Sequence, residues 1–219
     1  MGYRIPTIPI RIGETALNGK INRINESLPG GTGLSPIPPA TVGLGAAPGQ
    51  LGMTFELETA EALFYSDTTL GTLFAGVYQY VRLDPACPVS AARGDAAFIA
   101  NPANAGNFLV TADSTVAANL NFVCGVFLGP LTAGNYGVIQ IAGLASLQFV
   151  TNVTNNANAQ PVKIVNQAGH GYGEQLNTDF SAPTVATMTP YLAAGMIAAE
   201  LPVDNTITRV WLRPNAYLV

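Results

Sequence analysis

Residues 121–143 read NFVCGVFLGPLTAGNYGVIQIAG, two runs rich in Val, Phe and Ile with a turn-forming segment between them. That segment, Gly129 to Asn135, contains the Gly, Pro and Asn residues that favour tight turns between strands. The stretch therefore predicts a β-hairpin. Residues 191–214 show the same order around the turn Pro202 to Asn205 and predict a second hairpin.

Other segments have the same short, strand-like character. Residues 77–82, VYQYVR, alternate with a period of two, and this strand is expected to stop at Asp84-Pro85. Residues 54–67 fit a short helix and a strand equally well. The remaining strand candidates lie at residues 97–100, 108–111, 121–128, 137–142, 145–151, 162–166, 191–200 and 206–213. We therefore predict that residues 53–219 form an all-β body, a β-sandwich or barrel of short antiparallel strands.

Residues 1–52 differ in composition and predict an extended N-terminal arm rich in Pro and Gly. Prolines occur at positions 6, 9, 29, 36, 38, 39 and 48, without a sustained period of 2 or 3.6 residues. Such a segment behaves as a semi-rigid spacer, because proline fixes φ and pushes the preceding residue to extended conformations. Two interpretations stay open, a disordered tail and a tether ordered on a neighbouring subunit. The isoleucines within the arm favour the tether, since a solvated linker has little use for apolar side chains.

The arm and the body have opposite net charge. Residues 1–50 contain four basic residues against two acidic ones, a net of +2, and since the whole chain carries -4 the remainder carries -6. We expect the arm to meet an acidic protein surface. Arg4, Arg11 and Arg23 are the expected charged anchors, and Ile8 and Ile10 the expected apolar ones.

Charge is unusually sparse in the body. Only Asp113 is charged between Asp95 and Lys163, and the whole chain is 10% charged where soluble domains average about 25%. Large neutral or apolar surfaces usually contact other chains or a membrane. No apolar run approaches the roughly 20 residues that span a bilayer, so no transmembrane helix is expected. Pro6 and Pro9 interrupt any signal-peptide core, which predicts use without export.

Catalytic, metal and cofactor sites are not indicated. His170 is the only histidine, and GHGYGE around it is expected to form a flexible loop. Cys87 and Cys124 lack a zinc or redox spacing, although a disulfide between them stays possible. Arg93-Gly94-Asp95 matches a cell-adhesion tripeptide but is interpreted as a turn. A sequence pI of 4.8 argues against nucleic-acid binding.

The order of features in residues 92–143 resembles that of the small β-rich auxiliary capsid proteins of tailed bacteriophages, the decoration or cement proteins. A Gly-Asp turn and an apolar strand precede GVFLG at 125–129 and TAGNYG at 132–137. The closing segments, AGM at 194–196 and TRVWLRP at 208–214, are similar in style. The resemblance covers roughly the last 130 residues and rests on the residue composition of the strands and the positions of the turns.

This resemblance implies a non-enzymatic virion structural protein that binds the outer capsid surface and bridges neighbouring capsomers. It implies synthesis in the host bacterial cytoplasm, contact with the major capsid protein and with copies of itself, and a homo-oligomer, with a trimer favoured over a dimer. A tail-tube, fibre or baseplate protein is the alternative. A carbohydrate-binding β-sandwich is less favoured because Trp211 is the only tryptophan.

Overall fold

A computed structural model describes residues 51–52, 54–66, 71–101, 108–151, 160–175 and 194–213. The strands are β1 (Thr54–Leu57), β2 (Gly76–Leu83), β3 (Ala96–Ile99), β4 (Leu109–Thr111), β5 (Val123–Phe127), β6 (Tyr136–Gln148), β7 (Pro161–Gln167), β8 (His170–Gln175), β9 (Met196–Ala198) and β10 (Ile207–Leu212). One short helix, α1 (Thr59–Tyr65), follows β1, and a 3₁₀ turn covers Asn119–Asn121. The all-β prediction is confirmed. The predicted arm lies almost wholly outside the described residues.

Five strands close into a barrel in the order β2-β4-β3-β5-β6, with β6 pairing back onto β2. The β2–β4 contact is parallel and the other four are antiparallel. The barrel is filled by apolar side chains from every one of its strands, among them Val81, Ile99, Val110, Phe127 and Ile139. Closure pairs both edges of these strands, which removes most of the open backbone that an isolated sheet would present.

The other strands extend from the second half of β6. Residues Gly143 to Gln148 of β6 pair with β10, and β9, β7 and β8 follow in that order. A parallel bridge between Phe149 and Gly173 brings the end of β6 back to β8. This extension packs on β3 and β5 through a second core cluster that includes Phe98, Leu147 and Val162. Strand β6 therefore belongs to both halves of the molecule.

Most predicted strands are present within a few residues of their expected bounds, and both hairpins form, as β5–β6 and β9–β10. Two predictions were wrong. The candidates 137–142 and 145–151 are one continuous strand, because Gly143 takes a φ of 95° and lets the chain bend without a turn. Residues 170–175 are strand β8 and not a loop, since their glycines lie over Phe98 and Phe149, where a larger side chain would clash.

No helix within the described residues is long and apolar enough to cross a membrane.

Candidate functional site

Large apolar side chains are exposed at one hairpin of the molecule. Among the described residues the exposed large hydrophobic side chains are Leu63, Val116, Leu201, Val203 and Trp211. Three of these, Leu201, Val203 and Trp211, belong to the β9–β10 hairpin. Trp211 is 53% exposed. Because tryptophan is among the residues that contribute most to protein interfaces, its exposure makes this hairpin the leading candidate for a contact surface.

The register of four adjacent strands places Trp211 in a row of apolar residues. Trp211 pairs with Leu144 of β6 on one side and with Ile197 of β9 on the other, and Ile197 pairs with Pro161 of β7. Directly paired residues in antiparallel strands point to the same face of the sheet. We call these four residues the outer row. At about 4.8 Å between neighbouring strands the row is about 14 Å long.

The opposite face of the same strands is buried, which fixes the outer row on the side away from the core. In β10 the residues Thr208, Val210 and Leu212 are buried, and the alternate residues Arg209 and Trp211 are exposed. Met196 and Ala198 of β9 are likewise buried on either side of the half-buried Ile197. The alternation follows from the two-residue period of a strand. The outer row is therefore available to another chain.

Two ion pairs lie next to the outer row. Arg209 donates from Nε to the Glu200 carboxylate at 2.7 Å, and Glu200 also accepts the Arg209 backbone N–H at 2.8 Å. The hydrogen bond from Arg209 lowers the pKa of Glu200. Lys163 pairs with Glu174 at 3.1 Å. Paired charges need less compensation from a partner than isolated ones, so these two pairs add little to the cost of docking.

The only histidine makes a contact that the sequence did not reveal. His170 Nδ1 lies 2.7 Å from Oδ2 of Asp95, which also accepts the Ala92 backbone N–H at 2.7 Å. The Asp95 side chain is 1% exposed, and its Oδ1 has no hydrogen-bond partner. Burial raises the pKa of Asp95, and the bonds from Ala92 and His170 oppose that effect. The pair ties the turn before β3 to the start of β8.

His170 makes two side-chain contacts within the described residues. A His-Asp pair activates a nucleophile only if a hydroxyl or thiol lies within hydrogen-bond reach of the remaining ring nitrogen. Within the described ranges His170 has a recorded bond to Asp95 and a stacking contact with Tyr172, with ring centroids 5.9 Å apart. The geometry therefore supports a structural link between β3 and β8.

The Arg93-Gly94-Asp95 segment is a turn, as predicted. Gly94 takes a φ of 87°, and Asp95 accepts a hydrogen bond from the Ala92 backbone. Both residues are buried, and the Gly94 backbone donates to Phe127 O and accepts from Gln148 N. A motif held inside the sheet in this way does not present the extended loop that a receptor would bind.

The cysteines are separate free thiols in two different settings. Cys87 contacts Thr111 Oγ1 at 3.2 Å, and Cys124 donates to the Ala97 carbonyl at 3.4 Å. Burial raises the pKa of the Cys124 thiol to about 12. The disulfide left open by the sequence is therefore absent. No group of three potential metal ligands occurs in the described part of the chain.

The arm residues proposed as anchors, Arg4, Ile8, Ile10, Arg11 and Arg23, all lie outside the described residues. The outer row was missed by sequence reasoning. Its members are far apart in the chain and meet only through strand register, which the sequence does not encode locally. The signal present in the sequence was Trp211, the only tryptophan, on a strand with alternating polar and apolar residues.

No model of a known protein family matches this chain, and no curated protein is significantly similar to it.

Proposed function

We propose that this protein is a non-enzymatic virion structural protein, a capsid cement or decoration protein that binds the outer surface of an assembled capsid. It bridges and stabilises neighbouring capsomers there. Its partners are the major capsid protein and other copies of the chain, with a homotrimer favoured. The observation that carries an assembly role is the outer row, in which the exposed Trp211 lies among the half-buried Leu144, Ile197 and Pro161.

The surface composition supports docking at low entropic cost. Lys, Arg and Glu lose the most rotamer freedom when they are immobilised, and such residues are scarce here, at 10% charged residues in all. A contact of standard size buries about 800 Å² per partner, and the outer row with the β9–β10 turn supplies part of one. Repetition of modest contacts around a symmetric shell then gives avidity that one contact lacks.

The choice of a capsid among possible assemblies rests on sequence. The resemblance of residues 92–143 to auxiliary capsid proteins supports it, as does an arm whose net charge of +2 opposes the -6 of the remaining chain. An arm and a body of opposite sign suit a protein that connects repeating neighbours.

Sedimentation of the full chain with empty capsids stripped of it tests the proposal. We expect the protein to sediment with the capsids at a fixed ratio to the major capsid protein, and to stay in the supernatant without them. Protein that remains in the supernatant with capsids would overturn the proposal. Polymerisation of the protein alone into tubes or fibres would overturn it in favour of a tail component.

The same sedimentation experiment with a shortened chain tests whether the N-terminal arm acts as a tether. Removal of residues 2–30 should lower capsid occupancy because it deletes all the proposed anchors, Arg4, Ile8, Ile10, Arg11 and Arg23. Unchanged occupancy of the shortened chain would show that the arm is not needed for attachment.

A further inference from the structure

The outer row has the shape and chemistry of a site for a proline-rich segment. Its centre is a half-exposed indole, and apolar side chains lie on both sides of it along a line about 14 Å long. Surfaces that present aromatic side chains recognise extended proline-rich chains, which lose little entropy on binding because their backbone is already restricted, and Trp211 supplies the aromatic side chain here. Two ion pairs, Arg209–Glu200 and Lys163–Glu174, lie beside the row, so their charges are already compensated within the chain.

The first proline-rich segment of the arm has a spacing that fits this description. Residues 5–10 read IPTIPI, in which the Ile-Pro pair recurs after three residues. A polyproline II helix has three residues per turn and rises about 3.1 Å per residue, so this spacing favours Ile5 and Ile8 on one side and Pro6 and Pro9 on the next. The five steps from Ile5 to Ile10 then cover about 15 Å, close to the length of the outer row.

We propose that Ile5–Ile10 of one copy lies across the outer row of a neighbouring copy, with its prolines and isoleucines on Trp211, Leu144 and Ile197. The proposal rests on the tether role given to the arm above and names the surface that receives it. Arg213 is exposed immediately after β10. Because it would repel Arg4 and Arg11, the contact is assigned to the apolar residues, and the arm's arginines lie towards other surfaces.

The chain between the segment and the body is long enough to reach a neighbour. The described structure begins at Leu51, and the N–H of Gly52 donates to the Tyr80 carbonyl, which fixes the end of the arm beside β2. Residues 11–50 lie between, and forty extended residues span at most about 130 Å. This reach exceeds the roughly 30 to 40 Å width of a folded body of this size, so the arm of one copy is long enough to bind an adjacent copy.

Photo-crosslinking between isotopically distinct copies tests the inference without a capsid. A full-length chain of natural isotope content carries a photoreactive phenylalanine analogue at position 8 and is mixed with full-length ¹⁵N-labelled chain. We expect crosslinks from the unlabelled (light) chain to those peptides of the ¹⁵N-labelled (heavy) chain that contain Leu144, Ile197 or Trp211. Crosslinks to a different surface, or crosslinks confined to one copy, would overturn the proposal.

Matched variants of the heavy chain separate recognition from chance contact. Trp211→Ala should lower the light-to-heavy yield about tenfold or more, as expected for the central aromatic residue of an interface. Leu63→Ala, which removes an equally exposed apolar side chain away from the row, should leave the yield unchanged. Equal yields for both variants would contradict the proposal. Since no capsid is present, arm exchange without capsid binding would refute the proposed function alone, and capsid binding without arm exchange would refute this inference alone.

Discussion

At the scale of single residues, Asp95 holds the most unusual position in the molecule. Its carboxyl group is buried, and one oxygen has no partner while the other accepts from His170 and from the Ala92 backbone. A buried carboxylate is costly unless it is well bonded, so only part of the cost is offset here. The residue therefore links the stability of the fold to pH.

Asp95→Asn should flatten the dependence of stability on pH. Because burial raises the Asp95 pKa above its ordinary value of 3.8, the folded chain keeps a proton that the unfolded chain has released. The free energy of unfolding should then fall as pH rises from about 4 towards the raised pKa, with a slope of at most about 1.4 kcal/mol per pH unit. Urea unfolding of both proteins across this range measures the difference.

His170→Ala is the control for that experiment. The hydrogen bond from His170 opposes the effect of burial, so its loss should raise the Asp95 pKa further and extend the falling limb to higher pH. Parallel curves for the wild-type protein and Asp95→Asn would show that Asp95 does not titrate differently in the folded and unfolded states.

Gly143 tests how tightly the two halves of the molecule are joined. Its φ is 95°, and an added Cβ would lie 2.6 Å from the Ala75 carbonyl oxygen, so alanine meets both backbone strain and a clash with backbone. Gly143→Ala should destabilise the fold by about 2 to 4 kcal/mol. Gly134→Ala is the matched control, since Gly134 has a φ of 81° but an added Cβ would meet only ordinary contacts at 4.0 Å from Arg82 and Pro85, and should cost about 1 kcal/mol. Equal losses in urea unfolding would contradict the packing described at the junction.

At the scale of elements, β10 separates a core face from a contact face. Leu212 is 7% exposed and packs in the second core, whereas its neighbour Trp211 points outwards. Leu212→Ala should therefore lower the free energy of unfolding by about 2 to 5 kcal/mol. Trp211→Ala should change it by about 0.5 kcal/mol or less, as at other surface positions. Thermal or urea unfolding of the two variants decides between this register and one shifted by a residue, which would reverse the order.

The elements also show which parts of the fold are readable from sequence. The β5–β6 and β9–β10 hairpins were predictable because each combines strand-forming runs with a local turn signal. Strand β8 was not, because GHGYGE has loop composition and becomes a strand only where Phe98 and Phe149 require glycines beside them. The outer row and the Asp95–His170 contact depend on long-range register, and no local pattern encodes either.

At the scale of the whole molecule, the two thiols report global opening. Cys87 and Cys124 are buried in the barrel core, and burial raises the Cys124 pKa to about 12. Because both thiols are buried, the native protein at pH 8 should react negligibly with a disulfide reagent, and urea should expose two thiols. In the Cys87→Ala variant, urea should expose one thiol. Fewer than two thiols in denatured wild-type protein would indicate a disulfide instead.

The body has two buried apolar cores and an apolar strip, the outer row, on its surface. Most apolar side chains of the strands are buried in the barrel core or in the second core, while the outer row and the β9–β10 turn remain on the surface. Exposed apolar surface bordered by polar groups usually marks contact with another chain. We therefore propose that the strip acts in assembly, by receiving the arm of a neighbouring copy on the capsid surface.

Capsid occupancy measured by sedimentation, for the wild-type chain, Trp211→Ala and Leu63→Ala, tests that claim most directly. We expect saturable binding of the wild-type chain at a fixed ratio to the major capsid protein, a marked loss for Trp211→Ala and none for Leu63→Ala. Because both side chains are exposed, both variants should stay folded, which their unfolding curves verify. Wild-type protein that does not bind capsids, or a Trp211→Ala variant that binds as well as wild type, would contradict the account.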